Sequence, residues 1–406
     1  MHAKVLTLAL LASVLNVGCG ADRGPDASTT DDGGLPETDG GSLVAAPQLG
    51  DGTPGSAHVV SIYSPSAQRE ATDLEFDPTS GKLWVTFREY ESSAICTEAS
   101  FAGCDALPGW TLEITGAEGD APSSVLKQDA NAWHFMRRPT SIAFGDTDAR
   151  SSATPGQSSF FATCHEARTG NYDDDAYDYM GPAFWTSDPA VYTFNGPGGN
   201  GSHLDMLHSA PFCMGIAHNR GNAFWVFNGD AGSIDDVDFV EPHVAGGEEH
   251  GDGRIRRFVA GQVARVANVP SHLAFDSDSA FLYIADTGNA RIARLDTATG
   301  TMAGRFPKAY DSLEVSNFMS DAVIEDVVPP GTLVQPSGLA LHDGTLFVSD
   351  HATSIIYAFS VDGALLNQFD TELPEGSLAG LTIGPDNKIY FVNMKTSEVF
   401  RLDPAS

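Results

Sequence analysis

Apolar residues recur along this chain in short alternating runs broken by Asp and Gly. The stretch PSHLAFDSDSAFLYIADTGNARIARLD, Pro270 to Asp296, holds one full statement of the pattern. It reads as small residues, a brief apolar strand, an Asp-bearing turn, a second strand ending at Asp286 and then a third. Period-two alternation over so few residues marks half-buried strands. The same order returns in QPSGLALHDGTLFVSDHATSIIYAFSVDG from Gln335 and in LAGLTIGPDNKIYFVNMKTSEVFRLD from Leu378. With larger insertions it underlies TDLEFDPTSGKLWVTFRE from Thr72, the segment from Arg138 to Gly170, and APFCMGIAHNRGNAFWVFNGD from Ala210. Six such units, spaced by roughly 45–75 residues, predict an all-β fold, a six-bladed β-propeller over residues 57–406. The last unit ends at Ser406 after three strands, and AHVVSIYSPS (Ala57 to Ser66) is an apolar strand with no partner before the first unit. That N-terminal strand is expected to complete the last blade, which covers two sheet edges at once.

YIADTGNARIARLD and PSGLAL resemble the NHL repeat, which implies an NHL-type propeller. Calling the face where each first strand begins the top, the aligned units sort residues by height. The column just before the first-strand apolar pair reads Asp73, Ser141, Gly215, His272, Gly338 and Gly380. Small residues there let six strands converge on a channel, so His272 is expected to offer an imidazole at its mouth. The second strands end in Phe87, Cys164, Asn228, Asp286, Asp350 and Asn393. The Asp and Asn members are expected to accept backbone hydrogen bonds at the turn. His58, His218 and His342 are assigned to the bottom, and His134, His165, His203, His208, His243, His250, His272 and His351 to the top.

Residues 1–19 read as a signal peptide: Lys4, an apolar run from Val5 to Val17, then Gly18 and Cys19. Leu15-Asn16-Val17-Gly18-Cys19 resembles the lipobox of bacterial lipoproteins, which implies lipidation of Cys19 and a place at the outer membrane or cell surface. Plain secretion or a periplasmic location is the alternative. Residues 20–56 are polar, rich in Gly and acidic, and are expected to be a disordered tether. Net charge is −32, which argues against nucleic acid as a partner and mildly for cations. The lipid is then the expected contact with a membrane, and the protein is expected to be a monomer. Cys96 and Cys104 bracket one loop and are expected to pair. Cys164 and Cys213 are expected to form a second disulfide, with a soft copper site including His165 and His208 as the alternative.

Two insertions carry the other candidate chemistry. EARTGNYDDDAYDYMGPAFWTSDP is acidic and aromatic, suited to a lid or a binding wall. SIDDVDFVEPHVAGGEEHGDG holds Asp235, Asp236, Asp238, Glu241, His243, Glu248, Glu249, His250 and Asp252 on what is expected to be a flexible loop. Mixed imidazole and carboxylate suits zinc or another transition metal, and the acids alone suit calcium. The alternative is a solvated acidic loop. The candidate metal ligands are therefore His165, His208, His243, His250, His272 and His351.

The NHL resemblance also points to the peptidyl-α-hydroxyglycine lyase propellers. That resemblance implies zinc held by histidines at the first-strand starts of three blades, with an arginine ending the second strand of blade one. Arg88 falls at the arginine position and His272 within one residue of a histidine position, which makes them the candidate catalytic pair. Thr140 or Ser141, and Ser337 or Gly338, stand where the other two histidines are expected. Against gluconolactonase-like propellers, PSGLAL offers Ser337 where an Asn calcium ligand is expected. No GxSxG nucleophile elbow occurs in the sequence. The expectation is a module that binds a protein or small-molecule ligand on its top face, with a metal as candidate cofactor. The alternative is a metal-dependent lyase or hydrolase at the channel mouth.

Overall fold

Each first strand carries small residues at its start and alternating apolar residues beyond, so it can approach a common axis and still pack on both faces. The computed structural model describes residues 46–51, 53, 55–89, 108–151, 156–170, 179–195, 199–307 and 310–405. The expected signal peptide with Cys19, most of the expected tether, the Cys96–Cys104 loop and part of the blade-two insertion lie outside the described residues. Among the described residues no helix is long and apolar enough to cross a membrane.

The chain opens with β1 (Ala57–Tyr63). Blade one is β2 (Arg69–Phe76), β3 (Leu83–Glu89), β4 (Trp110–Thr115) and β5 (Ser123–Lys127). A short helix, α1 (Ala132–Phe135), leads to blade two: β6 (Pro139–Thr147), β7 (Ser159–His165), β8 (Ala183–Thr186) and β9 (Asp205–Met206). Blade three is β10 (Cys213–Arg220), β11 (Ala223–Asn228), β12 (Ser233–Asp238) and β13 (Arg254–Phe258). Blade four runs through β14 (Leu273–Asp276), β15 (Phe281–Asp286) and β16 (Arg291–Asp296). A hairpin of β17 (Thr301–Arg305) and β18 (Val315–Ser320) then precedes its last strand, β19 (Val323–Val328). Blade five is β20 (Pro336–His342), β21 (Thr345–Asp350), β22 (Ile355–Ser360) and β23 (Leu365–Asp370). Finally β24 (Leu378–Ile383), β25 (Ile389–Asn393) and β26 (Glu398–Pro404) form blade six, and β1 is its outermost strand.

The expected closure is present. β1 pairs antiparallel with β26, Ala57 opposite Pro404 and Val60 opposite Arg401. Apolar faces of neighbouring blades meet in separate cores. Phe160, Phe184, Phe224 and Phe239 pack between blades two and three, while Leu273, Leu282 and Ile284 pack against Trp225 and Phe227. The small column works as expected: a Cβ added to Gly215 would stand 1.9 Å from Ser271 O, and one on Gly380 would stand 2.4 Å from Asp73 Oδ1.

Two expectations need correction. The tether does not run to residue 56, because Pro47–Leu49 forms a short helical turn with Leu49 fully buried in the core of blades five and six. Ala46 packs in the same core, Gln48 Nε2 donates to Asn387 Oδ1 at 2.8 Å, and Asn367 Nδ2 donates to Gly50 O at 3.0 Å. Asp235, Asp236 and Asp238 lie on a strand, not a loop; the first two are buried and paired with Arg257 and Arg256. Beyond these, the hairpin from blade four extends the sheet of blade three, with β18 parallel to β13. This brings the 306–314 segment beside the loop between β12 and β13, where Glu314 N–H donates to Gly253 O at 3.0 Å.

Candidate metal centre on the rim

The inner edge of each blade faces the channel, so its backbone groups need partners there. Blade one supplies them with carboxylates. Asp73 Oδ2 accepts from Ile142 N–H at 2.9 Å and Glu75 Oε2 from Phe144 N–H at 2.7 Å, both on the exposed edge of β6. A cavity of about 440 Å³ runs from Asp73 and His272 down to His218, Asn219, Ser277 and His342 at the bottom. Burial, partly relieved by the Phe144 bond and reinforced by Asp73 and Asp77, raises the Glu75 carboxyl to about 8.

His272 closes this cavity from above. Blades one and four face each other across the ring, and His272 Nδ1 lies 3.4 Å from Asp73 Oδ1. Its Nε2–H donates to Thr140 O at 3.1 Å, and burial lowers its pKa to about 4. With Nε2 committed to Thr140 and the ring buried across from Asp73, the imidazole is a cross-channel plug and not a free ligand at an open mouth. Arg88 is equally committed. Nε donates to Glu70 at 2.5 Å, Nη1 to Glu166 at 2.9 Å and Nη2 to Asn268 O at 2.8 Å. Arg88 and His272 share no partner, so the expected catalytic pair is not assembled.

Two further candidates are satisfied by other partners. Trp185 Nε1–H donates to Thr163 Oγ1, which stands 3.0 Å from His165 Nε2, and His165 Nδ1–H donates to Gly181 O at 3.0 Å. Both His165 nitrogens are used, so it does not join a metal set. His351, after β21 of blade five, donates Nδ1–H to Leu378 O of blade six at 2.6 Å, apart from the other candidates. Cys164 and Cys213 form a disulfide joining β7 to β10, which removes both thiolates from any copper site.

His208, His243 and His250 do come together, but on the rim. β12 descends from Ser233, opposite Asn228, to Asp238, opposite Ala223. The loop bearing His243 and His250 therefore leaves from the bottom end of the blade, not the top as expected. It folds against the outermost strand of blade two: His243 N–H donates to Leu204 O at 3.2 Å and Gly246 N–H to His203 O at 2.8 Å. Gly246 has φ of 72°, and a Cβ there would stand 2.8 Å from Gly201 O, so the close approach needs glycine.

The result is a cluster of imidazoles and carboxylates drawn from four parts of the chain. α1 gives His134, the β9 region gives His203, Asp205 and His208, the blade-three loop gives His243, His250 and Asp252, and the blade-four insertion gives Asp311. His250 Nδ1–H donates to Asp205 Oδ1 at 2.6 Å, and His208 Nδ1 lies 3.2 Å from Asp311 Oδ1. His243 Nε2 lies 2.9 Å from Asp252 Oδ1 and 3.6 Å from Asp205 Oδ2. One donor atom from each of Asp205, His243 and Asp252 lies within 4.8 Å of the other two. Asp205 is fully buried, yet its Oδ2 has no hydrogen-bond partner. Burial raises the Asp205 pKa, and the hydrogen bond and charge of His250 oppose that. Burial would lower the His250 pKa, but Asp205 more than offsets it and the value is raised.

HLDMLH, His203 to His208, carried a signal that the motif reading passed over. His203 and Asp205 are two residues apart on an extended segment, which puts them on one face. Asp311 gave no signal, since only the inserted hairpin brings it near.

No protein-family model and no curated protein matches the sequence. Among solved structures, a gluconolactonase from Xanthomonas campestris is similar with a TM-score of 0.43 at 15% identity, over 89% of this chain and 92% of that one. Virginiamycin B lyase from Staphylococcus aureus gives 0.45 at 11% identity, over 86% and 99%. Regucalcin from Agrobacterium tumefaciens, titled a calcium-binding protein, gives 0.42 at 13% identity, over 83% and 93%. The likeness is one of fold alone. The chain is a six-bladed β-propeller, and its repeats are compatible with the NHL type.

Proposed function

We propose that this protein is an exported, lipid-anchored propeller that acts as a metal-binding module, holding zinc on its rim through Asp205, His243 and Asp252. The observation that carries this reading is the buried, unpartnered Asp205 Oδ2 facing His243 Nε2. A buried acceptor without a partner costs about 1–3 kcal/mol, and native proteins rarely leave one without a reason. An ion would supply the missing partner and take the place of the proton between His243 and Asp252. One nitrogen and two carboxylate oxygens suit zinc, with solvent or a ligand in the fourth position. Calcium is disfavoured by the imidazole, since it takes oxygen ligands. The lyase reading at the channel mouth has less support, because Arg88 is committed to Glu70, Glu166 and Asn268 and shares no partner with His272.

Thermal unfolding of the full mature chain across a zinc titration tests this. An ion that binds the folded state alone stabilises by about 2.7 kcal/mol at 100 times its dissociation constant. The reading requires such a shift in the parent and its loss in His243→Ala/Asp252→Asn. A parent protein indifferent to zinc and copper would refute it.

A further inference from the structure

The channel holds a cavity for which the rim has no use. About 440 Å³ is enclosed by the inner strands of all six blades, and pockets of roughly 300–1,000 Å³ hold small organic ligands. Its upper end is shut by Asp73, His272 and the Thr140 carbonyl. Its lower end is open. Asp73, Ile142, Leu339 and Leu381 are buried, whereas Glu75, Leu341, Ile383 and Ser277 further down are half-buried or exposed. The cavity is a blind tube entered from the bottom, opposite the face where the first strands begin.

One side chain stands at the depth where that access ends. Glu75 follows Asp73 by two residues on β2, so both project from one face of the strand, with Glu75 roughly 7 Å nearer the bottom. Both reach to β6, but not alike. Asp73 uses both oxygens, accepting from Leu74 N–H at 2.8 Å and Ile142 N–H at 2.9 Å. Glu75 uses one, for Phe144 N–H, and its Oε1 accepts no hydrogen bond among the described residues. An acceptor is therefore left over in the wall of the tube.

The rest of the wall decides what that acceptor suits. Among the described residues no Lys or Arg lines the cavity, and its carboxyls are Asp73 and Glu75. Leu74, Ile216, Leu341 and Ile383 supply apolar surface between the strand edges. A cleft lined by one sign of charge concentrates counter-ions, and the whole chain carries a net charge of −32.

We infer that the channel is a binding site, entered from the bottom face, for a small organic cation whose ammonium or guanidinium head is held by Glu75 and whose alkyl part lies along the apolar wall. It shares no residue with the rim centre and stands or falls apart from it. Cation binding there has a signature. The Glu75 carboxyl titrates near 8, raised by burial against the Phe144 bond, with Asp73 and Asp77 reinforcing the rise. Only the ionised form pairs with a cation, so binding below that pH expels a proton. Apart from Asp73 and Asp77, the titratable groups that face the tube are His272 from the start of β14, His218 from β10 and His342 from β20; β6 and β24 bring none.

Titration of the full mature chain with n-butylammonium, followed by amide chemical shifts of the inner strands, tests this. Affinity is expected to rise about 20-fold from pH 6.5 to 8.5, following the ionised fraction of Glu75. In Glu75→Gln the affinity at pH 8.5 is expected to fall by about 10- to 100-fold, the worth of a hydrogen bond to a charged group, and the pH dependence to vanish. Ammonium chloride and n-butanol, which lack the tail and the charge respectively, are expected to bind more weakly. No saturable shift at the inner strands overturns the inference, as does either control binding as well as n-butylammonium. A pH dependence that persists in Glu75→Gln belongs to the histidines and overturns it too. Should that variant not fold, the parent decides: an affinity that is flat from pH 6.5 to 8.5 overturns the role of Glu75, and the expected rise supports it.

Discussion

Asp205 Oδ1 accepts from His250 Nδ1–H at 2.6 Å, while Asp205 Oδ2 is buried without a hydrogen-bond partner. A folded protein carries that cost only where something offsets it. The substitution Asp205→Asn separates the two roles. Zinc affinity is expected to fall by about 100-fold or more, since loss of even an orienting partner costs 10- to 100-fold. Stability of the metal-free protein is not lowered, because a neutral amide is cheaper to bury than a carboxylate. Calorimetric zinc titration and urea unfolding of both proteins measure this; unchanged affinity would remove Asp205 from the centre.

The channel carboxyl predicts a pH dependence of opposite character. Glu75 titrates near 8 in the folded protein against 4.5 unfolded. Above 4.5 the folded state therefore holds a proton that the unfolded state has released, so stability declines as pH rises from 4.5 to 8. The limiting slope is about 1.4 kcal/mol per pH unit for one such group. Glu75→Gln removes the effect and keeps an acceptor for Phe144. The variant's advantage over the parent should grow from pH 4.5 to 8 and level off beyond. A difference that does not vary with pH would show that Glu75 is not held neutral.

His165 acts in the other direction. Burial lowers it to about 4 from an ordinary 6.5, with only the Gly181 bond opposing. The unfolded chain takes up a proton that the folded one refuses, so its contribution to stability is intact above 6.5 and is lost as pH falls towards 4. His165→Gln should flatten the acid limb of the stability profile, measured by denaturant unfolding at several pH values.

His272 and Asp73 face each other across the axis, so removing the ring opens the channel and leaves Asp73 facing a void. His272→Ala is expected to cost about 2–4 kcal/mol. Zinc stoichiometry should be unchanged, because the plug and the rim share no residue. Loss of bound metal in this variant would return the site to the channel.

The disulfide between Cys164 and Cys213 closes a loop of sequence separation 49 and staples blade two to blade three. Replacing both by Ala is expected to lower stability by on the order of 4 kcal/mol, from loop-closure entropy alone. Urea unfolding of the pair against the parent checks it.

The sequence was legible where structure is local. Strand alternation, the Asp and Asn at second-strand ends and the orphan strand at Ala57 each report on a few neighbouring residues. Asn228, Asp350 and Asn393 do accept backbone N–H groups of the following turn, whereas Asp286 accepts from Ala264 N–H in the preceding inter-blade segment. The site was less legible because it is assembled over long range. His134 and Asp311 lie far apart in sequence, and each meets His208 only through an insertion that repeat alignment discards. His272 stood out in its column for a sound reason, but a column shows where a side chain starts and not what it meets. Asp73 and Thr140 on other blades decide that.

Anomalous scattering at the zinc edge, from crystals of the mature protein grown with zinc, tests the central claim most directly. The account predicts a peak among Asp205, His243 and Asp252, on the rim between blades two and three. A peak in the channel beside His272, or none at any ordered position, would contradict it.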